Sequence, residues 1–166
     1  MNRTAKRVTV ILAQLFSAAL LVALDQIFKA LASQHLQDGS ITLIENILEL
    51  RYTENTGAAF SSFSGATTAL IVVTVVLLAV LIVALVAGKI KGRLLNVCAV
   101  MILAGGVGNL IDRIACGYVT DYIHVLFIDF PVFNFADILV TCGVFIALGR
   151  IIYDMVVEAK SEKKNE

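Results

Sequence analysis

Apolar residues in this chain do not alternate with polar ones as in a soluble helix or sheet; they gather into four long runs, at 8–32, 67–87, 94–111 and 133–153. A bilayer core takes roughly 20 apolar residues of helix to cross, and each run is of that order. The run at 67–87 holds no charge, 94–111 has only Asn96 and Asn109 as strongly polar groups, and 8–32 stays apolar until Asp25 and Lys29 near its far end. The pattern predicts an all-α integral membrane protein: a bundle of four transmembrane helices forming a single membrane-embedded domain over 1–166, with outer loops at 33–66 and 112–132.

One stretch has a different period. Leu48, Leu50 and Tyr52 alternate with Glu49, Arg51 and Thr53, the two-residue repeat of a strand with one apolar face. A partner strand at 40–44 and a turn around Asn46 would make a small extracytoplasmic β-sheet lying on the membrane, and packing against helix ends would have to hold it, since a lone hairpin is marginal.

Cations set the orientation. Arg3, Lys6 and Arg7 precede the first run, Lys89, Lys91 and Arg93 lie between the second and third, and Lys160, Lys163 and Lys164 follow the fourth. The positive-inside bias puts these segments and both termini in the cytoplasm. The basic N-terminus looks like the start of a signal peptide, but no small-residue cleavage site follows, so it reads as a retained anchor.

Composition narrows the classes. With 59% hydrophobic residues and a mean hydropathy of +0.90, the chain is too apolar for a soluble domain. Its 13 basic and 13 acidic residues balance, leaving no basic field to attract nucleic acid. Cys98, Cys116 and Cys142 are far apart, form no CxxC pair and have no histidine spaced to complete a zinc site; no disulfide, metal or cofactor is expected. His35 and His124 sit in no nucleophile motif, and neither GxSxG nor HExxH occurs. Arg150 and Asp154, four apart near the cytoplasmic end, read as a structural pair.

What remains is a set of polar residues where insertion is costly, on the order of 2.5 to 3.5 kcal/mol each for ionisable groups. Asp25, Asn55, Asn109, Asp112, Arg113, Asp121, Asn134 and Asp137 all fall at outer helix ends or in outer loops, which implies one site near the outer interface. Asp25 and Lys29 share a helix face and can neutralise each other. Asn55-Thr56-Gly57-Ala58-Ala59-Phe60 sets three small residues behind an asparagine, as either a tight turn or a place where another backbone comes close. Ala104 and Gly108 have the spacing that draws membrane helices together, while Gly105, Asn109, Asp112 and Arg113 share a stripe. Asn134 and Asp137 open the fourth helix, with Asp121 in the loop before it; either acid suits a helix cap or half of a carboxylate pair sharing a proton, which hydrolyses peptides without metal. On the residues alone Asp112 pairs with Asp137 as readily as Asp121 does. Acids spread in depth would favour a transporter or channel subunit, but these collect at one interface. An intramembrane protease of the presenilin type would need GxGD, and the nearest string is Gly106-Val107-Gly108-Asn109.

Five motifs, in order, carry a resemblance that covers essentially the whole chain: Asp25-Gln26-Ile27-Phe28-Lys29; Asn55 to Phe60; Gly105-Gly106-Val107-Gly108-Asn109-Leu110-Ile111-Asp112-Arg113; Val119-Thr120-Asp121; and Phe133-Asn134-Phe135-Ala136-Asp137. The chain resembles the lipoprotein signal peptidases, or signal peptidase II. The resemblance implies an aspartyl endopeptidase of the bacterial inner membrane, active at the extracytoplasmic face, that cuts diacylglyceryl-modified prolipoproteins just before the lipidated cysteine. It implies Asp121 and Asp137 as the catalytic dyad. Asn55, Asn109, Arg113 and Asn134 would position the substrate or orient the acids, and Asp112 would support the site, with Asp25, Lys29 and Gly57 around it. Membrane lipid and the lipid-modified substrate are the expected partners, and the chain is expected to act as a monomer. Phe28 departs from the family pattern, which has serine or threonine before the lysine.

Overall fold

The computed structural model describes residues 3–57 and 67–165, so the Ala58, Ala59 and Phe60 part of the second motif lies outside the described residues. Four helices carry the chain: α1 (Arg3–His35), α2 (Thr67–Val86), α3 (Arg93–Ala115) and α4 (Phe135–Asn165). All four are long and apolar enough to cross a membrane. Large apolar side chains such as Phe16, Leu77, Val83 and Phe145 point outward, each more than half exposed, the arrangement expected when the surrounding solvent is lipid rather than water.

α3 is the central helix. Of its most apolar window 39% is buried, against 11% for α1, 11% for α2 and 17% for α4. Lipid is as apolar as leucine, so helices associate in it through close packing of small residues rather than through hydrophobic burial. Gly105 shows this: a Cβ there would run into the backbone carbonyl of Ala136 on α4. Further down, Gly143 of α4 faces Ile102 and the carbonyl of Cys98 on α3, a Cβ lying 2.9 and 3.0 Å from them. The spacing of Ala104 and Gly108 pointed to a helix contact, and Gly108 lies in one, making room for the Asp25 carboxylate of α1 and facing the Cβ of Ala136 on α4; a close α3–α4 backbone approach falls at Gly105.

Three strands lie over one end of the bundle: β1 (Ile41–Ile44), β2 (Leu48–Asn55) and β3 (Val119–Val125), in the order β1-β2-β3 with both pairs antiparallel. The turn between β1 and β2 puts Asn46 at φ 58°, a left-handed conformation that asparagine tolerates better than most residues. The third strand is a correction to the sequence reading, which left Asp121 in a loop. β3 pairs Glu49 with His124 and Thr53 with Asp121, and Phe133 then bonds back to Ile123, N to O at 3.0 Å and O to N at 2.7 Å. That small closure delivers the chain to the first turn of α4 directly beneath β3. α3 continues to Ala115, which makes Asp112 and Arg113 part of its last turns rather than of the following loop. α4 runs on to Asn165 instead of ending near 153.

Candidate active site

Lys29 organises the polar cluster. It lies on the eighth turn of α1 facing α3, and its ammonium has three donors with three acceptors: Asp25 Oδ2 at 2.9 Å, Asp112 Oδ2 at 3.0 Å and Asn109 Oδ1 at 2.7 Å. The side chains of Lys29, Asp25 and Asp112 are 4%, 0% and 9% exposed, so this is a buried network and not a surface ion pair. The expected Asp25–Lys29 pair is therefore a triad. Its two carboxylates also tie down the neighbouring elements. Asp25 Oδ1 accepts from the Ala136 N–H in the first turn of α4 at 3.0 Å, where an anion is favoured by unpaired N–H groups and the helix dipole. Asp112 Oδ2 accepts from the Thr120 N–H of β3 at 3.1 Å. Thus the helices carrying the triad hold both the strand that bears Asp121 and the helix that bears Asp137.

Asn134 is the N-cap of α4. Its Oδ1 accepts from the Asp137 N–H at 2.9 Å, and Asp137 Oδ2 accepts in return from the Asn134 N–H at 3.1 Å, a reciprocal capping box with aspartate in the glutamate's place. The Nδ2 of Asn134 donates to Asp121 Oδ1 at 2.6 Å and to Asn109 Oδ1 at 3.1 Å. One fully buried asparagine thereby bonds both acids. Asn109 Nδ2 donates to the other oxygen of Asp137 at 2.8 Å, and Asn55 Nδ2 to the other oxygen of Asp121 at 2.9 Å. Asp137 therefore caps its own helix and also lies on the same asparagine as Asp121, so the two roles that stood as alternatives on sequence do not exclude each other.

Asp121 is 1% exposed, and burial, reinforced by the nearby charge of Asp137, pushes its carboxyl up to about 7 despite the opposing hydrogen bonds from Asn55 and Asn134. Arg113 donates from Nη2 to the Gly57 carbonyl at 3.0 Å, and Gly57 N–H returns to Asn55 Oδ1 at 2.9 Å. The Nε of Arg113 is buried with no acceptor among the described residues, an unsatisfied donor of a kind that costs on the order of 1 to 3 kcal/mol unless something supplies a partner.

The two acids open onto a groove of about 450 Å³. Asn55, Asn109, Arg113, Asp121 and Asp137 line its polar end, and α2, α3 and α4 continue it with Thr74, Leu77, Leu78, Ile102 and Val140, beneath a loop carrying Phe130 and Pro131. A polar, acid-bearing mouth over an apolar trough suits a peptide whose one part is apolar and whose other part must meet water.

The family model for Signal peptidase (SPase) II matches residues 17–153, which takes in α1 from its middle, the whole sheet and most of α4. The chain belongs to the signal peptidase II family. A lipoprotein signal peptidase of Streptococcus pyogenes serotype M1 is 37% identical over 133 residues, 80% of this chain and 88% of that one. Another, from serotype M5 (strain Manfredo), is 37% identical over 129 residues, 77% of this chain and 85% of that one. Two solved bacterial membrane enzyme structures, determined by the in meso method at 2.3 and 1.9 Å resolution, superpose with TM-scores of 0.81 and 0.77, each at 28% identity and each covering 86% of this chain, and 89% and 94% of theirs. This is a multi-pass membrane peptidase by family, built as four helices and a small sheet.

Two participants in the polar cluster escaped the sequence reading. Gln26 donates from Nε2 to Asp112 Oδ1 at 3.0 Å and to the Gly108 carbonyl at 3.2 Å, bracing the triad from α1; an amide beside Asp25 within an apolar run was its available signal. Thr120 acts through its backbone N–H, which no side-chain pattern reveals. Phe28, the departure from the family pattern, packs edge-on against Phe135 with centroids 5.6 Å apart, so its ring buttresses the first turn of α4.

Proposed function

We propose that this chain is an aspartyl endopeptidase that removes the signal peptide from diacylglyceryl-modified prolipoproteins, cutting just before the lipidated cysteine, with Asp121 and Asp137 as its catalytic pair. The observation that carries this reading is Asn134 bonded to both carboxylates at the mouth of a groove with an apolar floor. With one proton between them, the ionised acid takes a proton from water while the protonated acid donates toward the scissile carbonyl, giving a tetrahedral diol. The acid that took the proton from water then passes it to the leaving amine as the C–N bond breaks, while a hydroxyl of the diol returns its proton to the other acid, so the pair regains its starting state. Arg113, with an Nε that has no acceptor among the described residues, would bind a substrate carbonyl. Asn55, Asn109 and Asn134 would orient the acids, and Asp25, Lys29, Asp112 and Gly57 would hold the scaffold.

In this reading one membrane-embedded peptidase domain spans the chain, both termini face the cytoplasm, and the acids lie at the extracytoplasmic rim. The lipid chains of the substrate stay in the bilayer while the peptide reaches water, under the sheet formed by β1, β2 and β3. The test is cleavage of a diacylglyceryl-cysteine peptide by the purified protein in the presence of a chelator, alongside its unmodified twin. Asp121→Asn and Asp137→Asn should each reduce turnover by several orders of magnitude while leaving the circular dichroism spectrum unchanged. Full activity in either variant refutes the dyad, and equal cleavage of the two peptides refutes the lipid requirement.

A further inference from the structure

The end of the bundle opposite the acids holds a second cavity, of about 970 Å³, between the N-terminal half of α1, the end of α2 and the start of α3. Lys6, Arg7 and Arg93 line it, and among the described residues no carboxylate does. Among the described residues Lys6 and Arg93 have no ion-pair partner. Arg7 donates from Nη2 to the Val86 carbonyl at 2.5 Å, which ties its guanidinium to the end of α2 at the cavity's edge. α3 starts at Arg93 after Gly92, with no side-chain cap and no acid in its first turn, so its unpaired N–H groups add to the positive field of the three cations.

Beyond the cations the walls are mainly apolar, through Val10, Leu21, Val97 and Val100, with Gln14, Ser17 and Asn96 as the polar residues and Gln14 bonded to Asn96 at 2.8 Å. Along α1 the lining runs from Lys6 to Leu21, about 22 Å at 1.5 Å per residue, which descends from headgroup level to the middle of a bilayer core roughly 30 Å thick. A cationic mouth over an apolar groove of that depth matches an anionic headgroup with an acyl chain beneath it. Cations that served only to orient the chain would need no such groove; Lys89 and Lys91 stand at the same end and do not line it.

We propose that this cavity binds one anionic phospholipid, with its phosphate among Lys6, Arg7 and Arg93 and an acyl chain between α1 and α3. The test uses full-length protein in detergent, titrated with phosphatidylglycerol or phosphatidylcholine and followed by native mass spectrometry and thermal melting, so that its outcome is independent of cleavage. Phosphatidylglycerol should be retained and raise Tm, and phosphatidylcholine should do neither. The pair Lys6→Gln and Arg93→Gln should weaken retention roughly tenfold or more, whereas Lys89→Gln with Lys91→Gln, which removes the same charge, should leave it intact. Val97→Trp, which fills the groove and leaves the charge alone, should also abolish retention. Equal retention of the two lipids, equal loss in the two charge-removal pairs, or the same rise in Tm from inorganic phosphate alone would overturn the proposal.

Discussion

Lys29→Met removes the one cation of the buried triad while keeping the length and apolarity of its stem. If Lys29 and Asp25 formed an exposed i, i+4 pair, the loss would be about 0 to 1 kcal/mol. Here the ammonium is 4% exposed and lies within 3.0 Å of two carboxylates that are 0% and 9% exposed, so its removal leaves two uncompensated buried acids facing each other. Breaking a buried ionic cluster from one side costs on the order of 3 to 5 kcal/mol, a large share of a total stability of about 5 to 15 kcal/mol. For a chain of this size the matching fall in Tm is on the order of 10 °C. The protein has no tryptophan, so the assay is helix melting by circular dichroism in a fixed detergent. Adding Asp25→Asn to Lys29→Met should recover part of the loss, because it removes one of the opposed charges. A Lys29→Met protein that melts within about 0.5 kcal/mol of the parent, the range of an ordinary surface change, would refute the claim that this ammonium is an obligatory counter-ion.

Other consequences follow from the same geometry. Because Asp121 holds its proton up to about 7, peptidase activity that needs one proton on the pair should fall about tenfold per pH unit above that value; a rate that stays flat for about two units beyond it counts against proton sharing. The same raised value gives a stability contribution that is full below the ordinary carboxylate value of 3.8 and lost as pH rises through about 7; melting curves of Asp121→Asn should show a shallower decline over that window than those of the parent. Gly108→Ala pushes a methyl into the Asp25 carboxylate and should cost about 1 to 3 kcal/mol, whereas Gly149→Ala meets nothing within 4 Å and should be neutral or slightly stabilising by helix propensity. Asn134→Ala removes the α4 cap, costing about 0.5 to 2 kcal/mol, and also removes a donor that lowers the Asp121 carboxyl, so the alkaline limb of the rate profile should move to higher pH.

Much of this arrangement is legible in the amino-acid sequence. Four apolar runs specify four helices because the bilayer leaves no other way to satisfy the backbone, and the alternation of residue types at 48–53 marks β2, although of Glu49, Arg51 and Thr53 only Arg51 is exposed. β3 hid because Val119, Thr120, Asp121 and Tyr122 are all buried, so the two-residue period that betrays a half-exposed strand is absent. The site was readable as a population and not as a wiring diagram. Charges crowded at one membrane face announce themselves by their insertion cost, yet nothing in the spacing said that Lys29 would reach Asp112, or that Asp137 would cap its own helix while facing the groove. Those links depend on how α1, α3 and α4 cross, and that crossing is set by close approaches such as Gly105 against Ala136, which sequence periodicity records only as a preference for small residues.

The three site asparagines impose a direction on the chemistry. An amide can present either its oxygen or its NH2, and here each neighbour leaves one choice. Lys29 can only donate, so Asn109 turns Oδ1 to it and Nδ2 to Asp137. The Gly57 and Asp137 backbone N–H groups can only donate, so Asn55 and Asn134 turn their oxygens to them and their NH2 groups to Asp121. Every hydrogen bond these groups make to the four carboxylate oxygens therefore arrives from a donor: Asn134 and Asn55 at Asp121, Asn109 and the Asn134 backbone at Asp137. A proton on either acid finds no acceptor among them. Among the described residues that leaves a bond across the pair or into the groove, to water or to a carbonyl placed there. An amide framework of this polarity would keep a shared proton on the side where a peptide would lie, which is the condition the proposed two-carboxylate hydrolysis has to meet.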